Sequence, residues 1–340
     1  MTVKQIDPGY LNGWLEGLLL NQALIAPVEH NGHFAFETIS RVSDIRLDYD
    51  VTALPPKKFL LPAKEVLVTF HNGSHYQSVF QADPFILFGV HPYDMKAITQ
   101  MDQVFSGSQK DEHYLARRAQ CSIVALDPLT ISANNFSACM NAGVVKDGWD
   151  VLLSKVGNVF LAEARTDKGQ ALMRYLAPTP AATPEQLQAR EKMWEANLQT
   201  QRKHQLKCAP EDLPDLLGRN YDHPLWQERA NLCFSCGACN VVCPTCYCFD
   251  VQDDVDWSLN CGTRCRSWDG CLLRDFASVA GGHNFRNRSA ERFRHRFYRK
   301  AKYMPEKMGE LTCVGCGRCV SACVPKISNP VEVYNKLWGE

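Results

Sequence analysis

Cys233-Phe234-Ser235-Cys236-Gly237-Ala238-Cys239-Asn240-Val241-Val242-Cys243-Pro244 and Cys313-Val314-Gly315-Cys316-Gly317-Arg318-Cys319-Val320-Ser321-Ala322-Cys323 are two copies of one pattern. In each, three cysteines stand three positions apart and a fourth stands four positions further on. A [4Fe–4S] cubane needs a thiolate on each of its four irons, and this rhythm brings three of them to one tight loop. The fourth corner has to be reached from elsewhere. Gly237 and Gly317 follow the middle cysteine of each run, where a residue without Cβ lets the backbone turn against an inorganic core. Pro244 redirects the chain after the first run. The second run has Val324 there and its proline one place later, at Pro325.

This is the ligand spacing of bacterial ferredoxins that hold two [4Fe–4S] clusters, in which the fourth cysteine of each run crosses to the other cluster. Carried onto this chain, the pattern gives one cluster Cys233, Cys236, Cys239 and Cys323. The other takes Cys313, Cys316, Cys319 and Cys243. Single-electron transfer is the commonest work of such clusters. Zinc is the main rival, but a zinc knuckle uses two cysteines and needs no third in the same rhythm. A disulfide framework is disfavoured in a chain with sixteen cysteines and no export signal, which points to metal sites in a reducing compartment.

Lysine plus arginine equals aspartate plus glutamate, 37 against 37, so the charge balance points to neither a nucleic-acid partner nor an acidic substrate. Residues Met1 to Asp7 lack the basic, then apolar, then small-residue pattern of a signal peptide, and a cytoplasmic location is expected. The apolar stretch Leu18 to Val28 is short and carries Asn21 and Gln22, which fits a buried amphipathic helix better than a membrane span.

The first two hundred residues hold only Cys121 and Cys139, which marks a compositional boundary. Their pattern alternates between helix and strand. Leu18 to Leu24 reads as helical, and Glu65 to Phe70 and Tyr76 to Phe80 read as a hairpin around His71-Asn72-Gly73-Ser74. Phe85 to Val90 reads as a buried strand and Tyr93 to Phe105 as a helix, followed by a helix near Asp111 to Ala119. Strands are expected at Ser122 to Leu126, Val151 to Leu153 and Val159 to Ala162. Pro184 to Lys207, rich in Glu, Gln, Ala and Arg without glycine, favours a long exposed helix. The fold class expected is α+β. A mixed α/β domain over 1–183 is followed by a helical connector over 184–207. A mainly helical, ferredoxin-like domain over 208–340 then carries an insertion between its cysteine runs. Helices are expected there at Cys271 to Val279 and Ser289 to Lys302. No dinucleotide fingerprint, phosphate-binding loop, catalytic triad or zinc-protease helix stands out. The chain is therefore expected to bind no flavin or nicotinamide itself, and to have no catalytic residues.

The first run continues into Thr245-Cys246-Tyr247-Cys248, and Ala280-Gly281-Gly282-His283-Asn284-Phe285-Arg286 precedes the second. With Leu54-Pro55-Pro56-Lys57-Lys58-Phe59 and Phe88-Gly89-Val90-His91-Pro92-Tyr93-Asp94, these segments resemble one group of proteins over nearly the whole chain. The group comprises the β subunits of cytoplasmic [NiFe] sulfhydrogenases and the related A subunits of anaerobic sulfite reductases. The resemblance implies an electron wire between a flavin- and NAD(P)H-binding subunit and a catalytic hydrogenase or reductase subunit, with the hydrogenase context favoured. A carrier for a flavin-linked disulfide reductase and, from another class, an iron–sulfur sensor are the alternatives. Relatives often carry further cysteines in the N-terminal domain. Here those places read Tyr93 and Asn135-Phe136-Ser137, so no N-terminal cluster is expected and Cys121 and Cys139 are read as ordinary buried thiols.

Cys246, Cys248, Cys261, Cys265 and Cys271 lie between the runs and are surplus to two cubanes. A third metal centre, a bound zinc, a redox-active thiol pair and packing around the clusters are all readings of them. Cys261 and Cys265, four apart, fit one face of a helix. Arg286 to Lys302 is basic, with Phe293 and Phe297 four apart. A helix whose phenylalanines face inward, and whose arginines offset cluster charge or meet an acidic partner, is expected over a nucleic-acid surface. His283 is read as structural rather than as a tuner of a cluster.

Overall fold

The computed structural model describes residues 3–72 and 75–339. The N-terminal region is built on a seven-stranded sheet in the order β1-β9-β8-β7-β6-β2-β3. Its strands are β1 (Lys4–Ile6), β2 (Ala23–His30), β3 (His33–Thr38), β6 (Phe85–Val90), β7 (Cys121–Leu126), β8 (Val151–Val156) and β9 (Val159–Ala164). Strands β2, β6, β7 and β8 run parallel at the centre, and antiparallel strands close both sides. Every residue of β6 and β7 is buried. That burial is why their sequences are unbroken apolar runs: a parallel strand is covered on both faces. One face packs on α1 (Pro8–Asn21) through Leu11, Trp14, Leu15 and Leu18. The other packs on α2 (Pro92–Phe105) and α3 (Glu112–Gln120) through Met95, Ile98, Met101 and Tyr114.

The region ends with α4 (Asp167–Met173) and α5 (Pro184–Gln201). Thr183 and Gln186 form a reciprocal capping box that starts α5. Only half of the helix is exposed: Arg190 is buried, and its last residue, Gln201, is fully buried and accepts from the Ser137 hydroxyl at 3.0 Å. The connector is therefore docked on the first region.

The C-terminal region is mainly helical. Helices α6 (Leu213–Arg219) and α7 (Leu225–Asn231) precede the one-turn α8 (Ala238–Val241). Then come α9 (Ser289–Tyr298), a π-helical turn (Arg299–Tyr303), α10 (Met304–Met308), α11 (Arg318–Ala322) and α12 (Pro330–Gly339). Phe293 and Phe297 do face inward, joining Leu217, Trp226 and Tyr334 in one core.

Four local expectations need correction. The early helix stops at Asn21, whose side chain turns back onto the Gly17 carbonyl, and Ala23 to Ile25 instead pair with β6. Cys271 to Val279 is not a helix; only Asp275–Ala277 forms a 3-10 turn. There the Leu272 N–H donates to Asn240 and its carbonyl accepts from Arg292, so side chains take the bonds a helix would use. The interval between the runs is also not purely helical. It contributes a hairpin, β10 (Phe249–Val255) and β11 (Cys261–Trp268), which joins β4 (Lys64–His71) and β5 (His75–Ser78) in a second sheet, β10-β11-β4-β5. Cys261 and Cys265 are accordingly strand residues, held by pairing on both sides of β11. The expected hairpin of β4 with β5 is present, while Gly73 and Ser74 of its turn lie outside the described residues.

The second sheet fastens the two regions together. Arg266 of β11 is buried and donates to Glu65 of β4 at 2.8 Å through Nε, and it also pairs with Asp111. Arg117 of α3 donates to the same Glu65 carboxylate at 2.7 Å.

Candidate iron–sulfur centres

The two cysteine runs have the same local geometry. Ser235 and Gly315, two residues after the first cysteine of each run, have φ of +51° and +66°. Gly237 and Gly317 have φ of +71° and +78°, and each starts a one-turn helix, α8 or α11. Helices α8 and α11 touch one another, so the loops face each other as an approximate pair. In each loop a backbone N–H also points at the first sulfur: Ser235 N lies 3.4 Å from Cys233 Sγ, and the Gly315 N–H serves Cys313.

Their surroundings differ. The second loop is pressed against the N-terminal region. A Cβ on Gly317 would lie 2.3 Å from the Asn134 carbonyl oxygen, and one on Gly315 would lie 2.6 Å from the Phe136 backbone. A Cβ on Gly237 would meet only the Leu273 side chain, at 3.0 Å. Next to Gly317, the guanidinium of Arg318 reaches into the N-terminal region. It donates to both Asp94 oxygens at 2.6 Å and to the Thr52 carbonyl and hydroxyl. Tyr93 and Asp94 stand in the first turn of α2, just after the Gly89-Val90-His91 segment, so that segment serves to seat the second loop. Tyr93 packs with Val314 and Cys316, and its hydroxyl bonds His91 Nδ1 at 2.8 Å and the Asp50 carbonyl at 3.0 Å.

Of the eight cysteines, Cys243, Cys316, Cys319 and Cys323 are buried, Cys233, Cys239 and Cys313 are half-buried, and Cys236 is exposed. One largely enclosed cavity is lined by Cys313, Cys316 and Cys319 of the second run and by Cys243 of the first, together with Arg296 and Lys300. Cys323 of the second run lies instead in a core that Cys233, Cys239 and Cys313 pack against. Burial pushes the thiols of Cys239 and Cys316 up to about 12 and that of Cys313 up to about 11. Against this stand buried cations: Arg296 beside Cys239, Lys300 beside Cys313 and Arg318 beside Cys316. Four sulfurs around one cavity, faced by buried positive charge, suit a metal–thiolate group of net negative charge.

The surplus cysteines fall into two groups. Cys246 and Cys271 share Asn240, whose Nδ2 lies 3.7 and 3.5 Å from their sulfurs, and Cys248 faces Cys271. Cys261 and Cys265 stand on β11, where their sulfurs meet His71 Nδ1 at 3.3 Å and the Thr263 hydroxyl at 3.5 Å. Among the described residues, no three His, Cys, Asp or Glu side chains come together as one metal ion requires. Cys121 is fully buried, and burial pushes its thiol up to about 12. Cys139 departs from expectation: it is only half-buried, with Sγ 3.3 Å from the His204 carbonyl. His283 is exposed and packs edge-on to Phe285.

Two further contributors went unread in the sequence. Lys57, of the Pro55-Pro56-Lys57-Lys58 segment, is buried, bonds the Cys246 carbonyl and lies 4.4 Å from the Trp268 ring centre. Arg318 is the other; its place inside the second run was visible, but nothing nearby signalled a partner as distant as Asp94.

Comparison with known proteins agrees with this geometry. Residues 232–327 match the model of the 4Fe-4S dicluster domain family. The chain is also 31% identical, over 314 residues, to sulfhydrogenase 2 subunit beta of Pyrococcus furiosus, covering 92% of this chain and 91% of that one. No helix among the described residues is long and apolar enough to cross a membrane. A cubane pair supplies one-electron chemistry when bound; the cysteines of the two runs would hold it, and Arg296, Lys300 and Arg318 would oppose its charge. The chain belongs to the sulfhydrogenase β-subunit family and is an iron–sulfur electron-transfer subunit that carries two [4Fe–4S] clusters.

Proposed function

We propose that this chain passes single electrons between a flavin- and NAD(P)H-binding subunit and a catalytic subunit of the hydrogenase type, within a cytoplasmic complex. The relative from Pyrococcus furiosus is named as a sulfhydrogenase subunit, which supports that context. The ligands are assigned with crossing. An outer cluster takes Cys233, Cys236, Cys239 and Cys323, and an inner cluster takes Cys313, Cys316, Cys319 and Cys243. The observation that carries the assignment is the presence of Cys243 in the cavity of Cys313, Cys316 and Cys319, which Cys323 does not line. Crossed ligation holds two clusters close, and close centres exchange electrons without an intervening carrier. Of the assigned ligands only Cys236, on the outer cluster, is exposed, so the outer cluster is the one nearer a docked partner.

The test is anaerobic purification of the native complex, with its subunits identified by mass spectrometry and its iron counted. A flavin-binding subunit, a hydrogenase subunit and about eight irons on this chain, two cubanes' worth, are expected. A chain that purifies alone or with DNA would overturn the wire.

A further inference from the structure

Helix α9 and the π-helical turn after it carry two cations into the interior. Arg296 and Lys300 are 2% and 7% exposed, and both line the cavity of Cys243, Cys313, Cys316 and Cys319. Among the described residues neither has a carboxylate partner, and the buried Arg296 Nε has no hydrogen-bond partner at all. Lys300 Nζ donates to the Thr245 hydroxyl at 2.7 Å, which in turn lies 3.4 Å from Cys243 Sγ. A buried cation without a counter-charge is strongly disfavoured, so its anion has to come from the site it faces.

Both cations line the cavity of the four assigned inner ligands, and Lys300 also reaches Cys243 through the Thr245 hydroxyl. The π-helical turn, a rare distortion often found at functional sites, is the element that carries Lys300.

We infer that Arg296 and Lys300 selectively raise the reduction potential of the inner cluster. The inference rests on the ligand assignment proposed above. Each reduction adds one electron, taken from a donor that is oxidised by one electron, and so adds one negative charge to a buried site. A fixed cation nearby stabilises that added charge, and the low dielectric of the interior strengthens the effect. The two cations therefore draw an electron that enters at the exposed outer cluster toward the inner one. Both residues are positioning residues; neither takes part in bond making.

The experiment is a dithionite titration of the anaerobically purified holoprotein followed by electron paramagnetic resonance. The inner signal is identified as the one that Cys243→Ser removes. Lys300→Gln keeps a donor for Thr245 but removes the charge. It is expected to lower the inner midpoint by at least tenfold in the reduced-to-oxidised ratio at fixed potential, about 59 mV for one electron. The outer midpoint should move less than half as far. Lys300→Arg should restore the inner midpoint, Arg296→Met should lower it, and Arg296→Lys should restore it. An inner midpoint unmoved in Lys300→Gln with full iron, or two midpoints moved equally, overturns the inference alone. Fewer than about eight irons in the unmodified protein overturns the ligand assignment, and this inference with it. Should Arg296→Met lose iron, the Lys300 pair still decides the question.

Discussion

Asp94 and Arg318 meet as a buried, two-bonded ion pair, each guanidinium nitrogen 2.6 Å from its carboxylate oxygen, although 224 positions separate them. The side chains are 0% and 2% exposed. The carboxylate comes from the start of α2 and the guanidinium from inside the second cysteine run. The pair therefore locks the loop of the second cysteine run to the N-terminal region. Removing one partner leaves a buried charge alone, whereas replacing both with apolar residues does not. Asp94→Ala is expected to cost about 3–5 kcal/mol and to lower the melting temperature measured by anaerobic circular dichroism. The double change Asp94→Ala with Arg318→Met should recover part of that loss. Equal melting of Asp94→Ala and the unmodified protein would remove the pair from this role.

Gly237 and Gly317 occupy the same place in the two runs and share a left-handed backbone. An alanine in that conformation costs about 1–2 kcal/mol at either site. At Gly317 the new Cβ would also run into the Asn134 carbonyl, which belongs to fixed backbone. Gly317→Ala is therefore expected to lose iron, down toward half, while Gly237→Ala keeps most of it. Iron and sulfide analysis of the two purified variants checks this, and equal iron in both would contradict it.

Glu65 receives Arg117 and Arg266 at once, and it joins the hairpin between the cysteine runs to the first region. Glu65→Gln would leave two buried guanidinium groups short of charge. A loss of about 3–5 kcal/mol is expected, read from anaerobic denaturant unfolding at constant iron content. A shift in midpoint below a tenth of that size would show the sheet is held by its ladder alone.

His295 gives a pH dependence. Burial pushes its imidazole down from 6.5 to about 4, and Arg286, Arg299 and Arg294 add to the effect. The folded protein keeps it neutral, while the unfolded chain gains a proton as pH falls through 6.5. Its contribution to stability is present above that value and is lost progressively toward pH 4. His295→Gln should flatten the fall of melting temperature between pH 7 and pH 5. A variant that falls as steeply as the unmodified protein would assign the pH dependence to other groups.

The repeated cysteine rhythm was enough to specify two cubanes and the loops that hold them, because ligand spacing is a local property of the chain. Strands β6 and β7 and helices α2, α3 and α9 were legible for the same reason: their apolar runs and their helical spacing are written over a few residues. The early helix was drawn too long because Ala23 to Leu24 suits either state, and pairing with β6 decides it. Cys261 and Cys265 fit a helix face by spacing, and only β4 and β10 on either side make them a strand. The gathering of Cys243 with the second run is what supports the proposed crossing, and which cations of the basic run are buried there could not be read from the sequence. Arg296 and Lys300 belong to the basic run whose arginines were expected to offset cluster charge or meet an acidic partner, but nothing in a charge run records which of its residues are covered. The sequence by itself determined the cofactor and the local shape of its loops. The tertiary structure alone decided which charges are buried against them and which distant residues, Asp94, Glu65 and Lys57, hold them in place. Those contacts join residues far apart in the chain, and no short pattern encodes them.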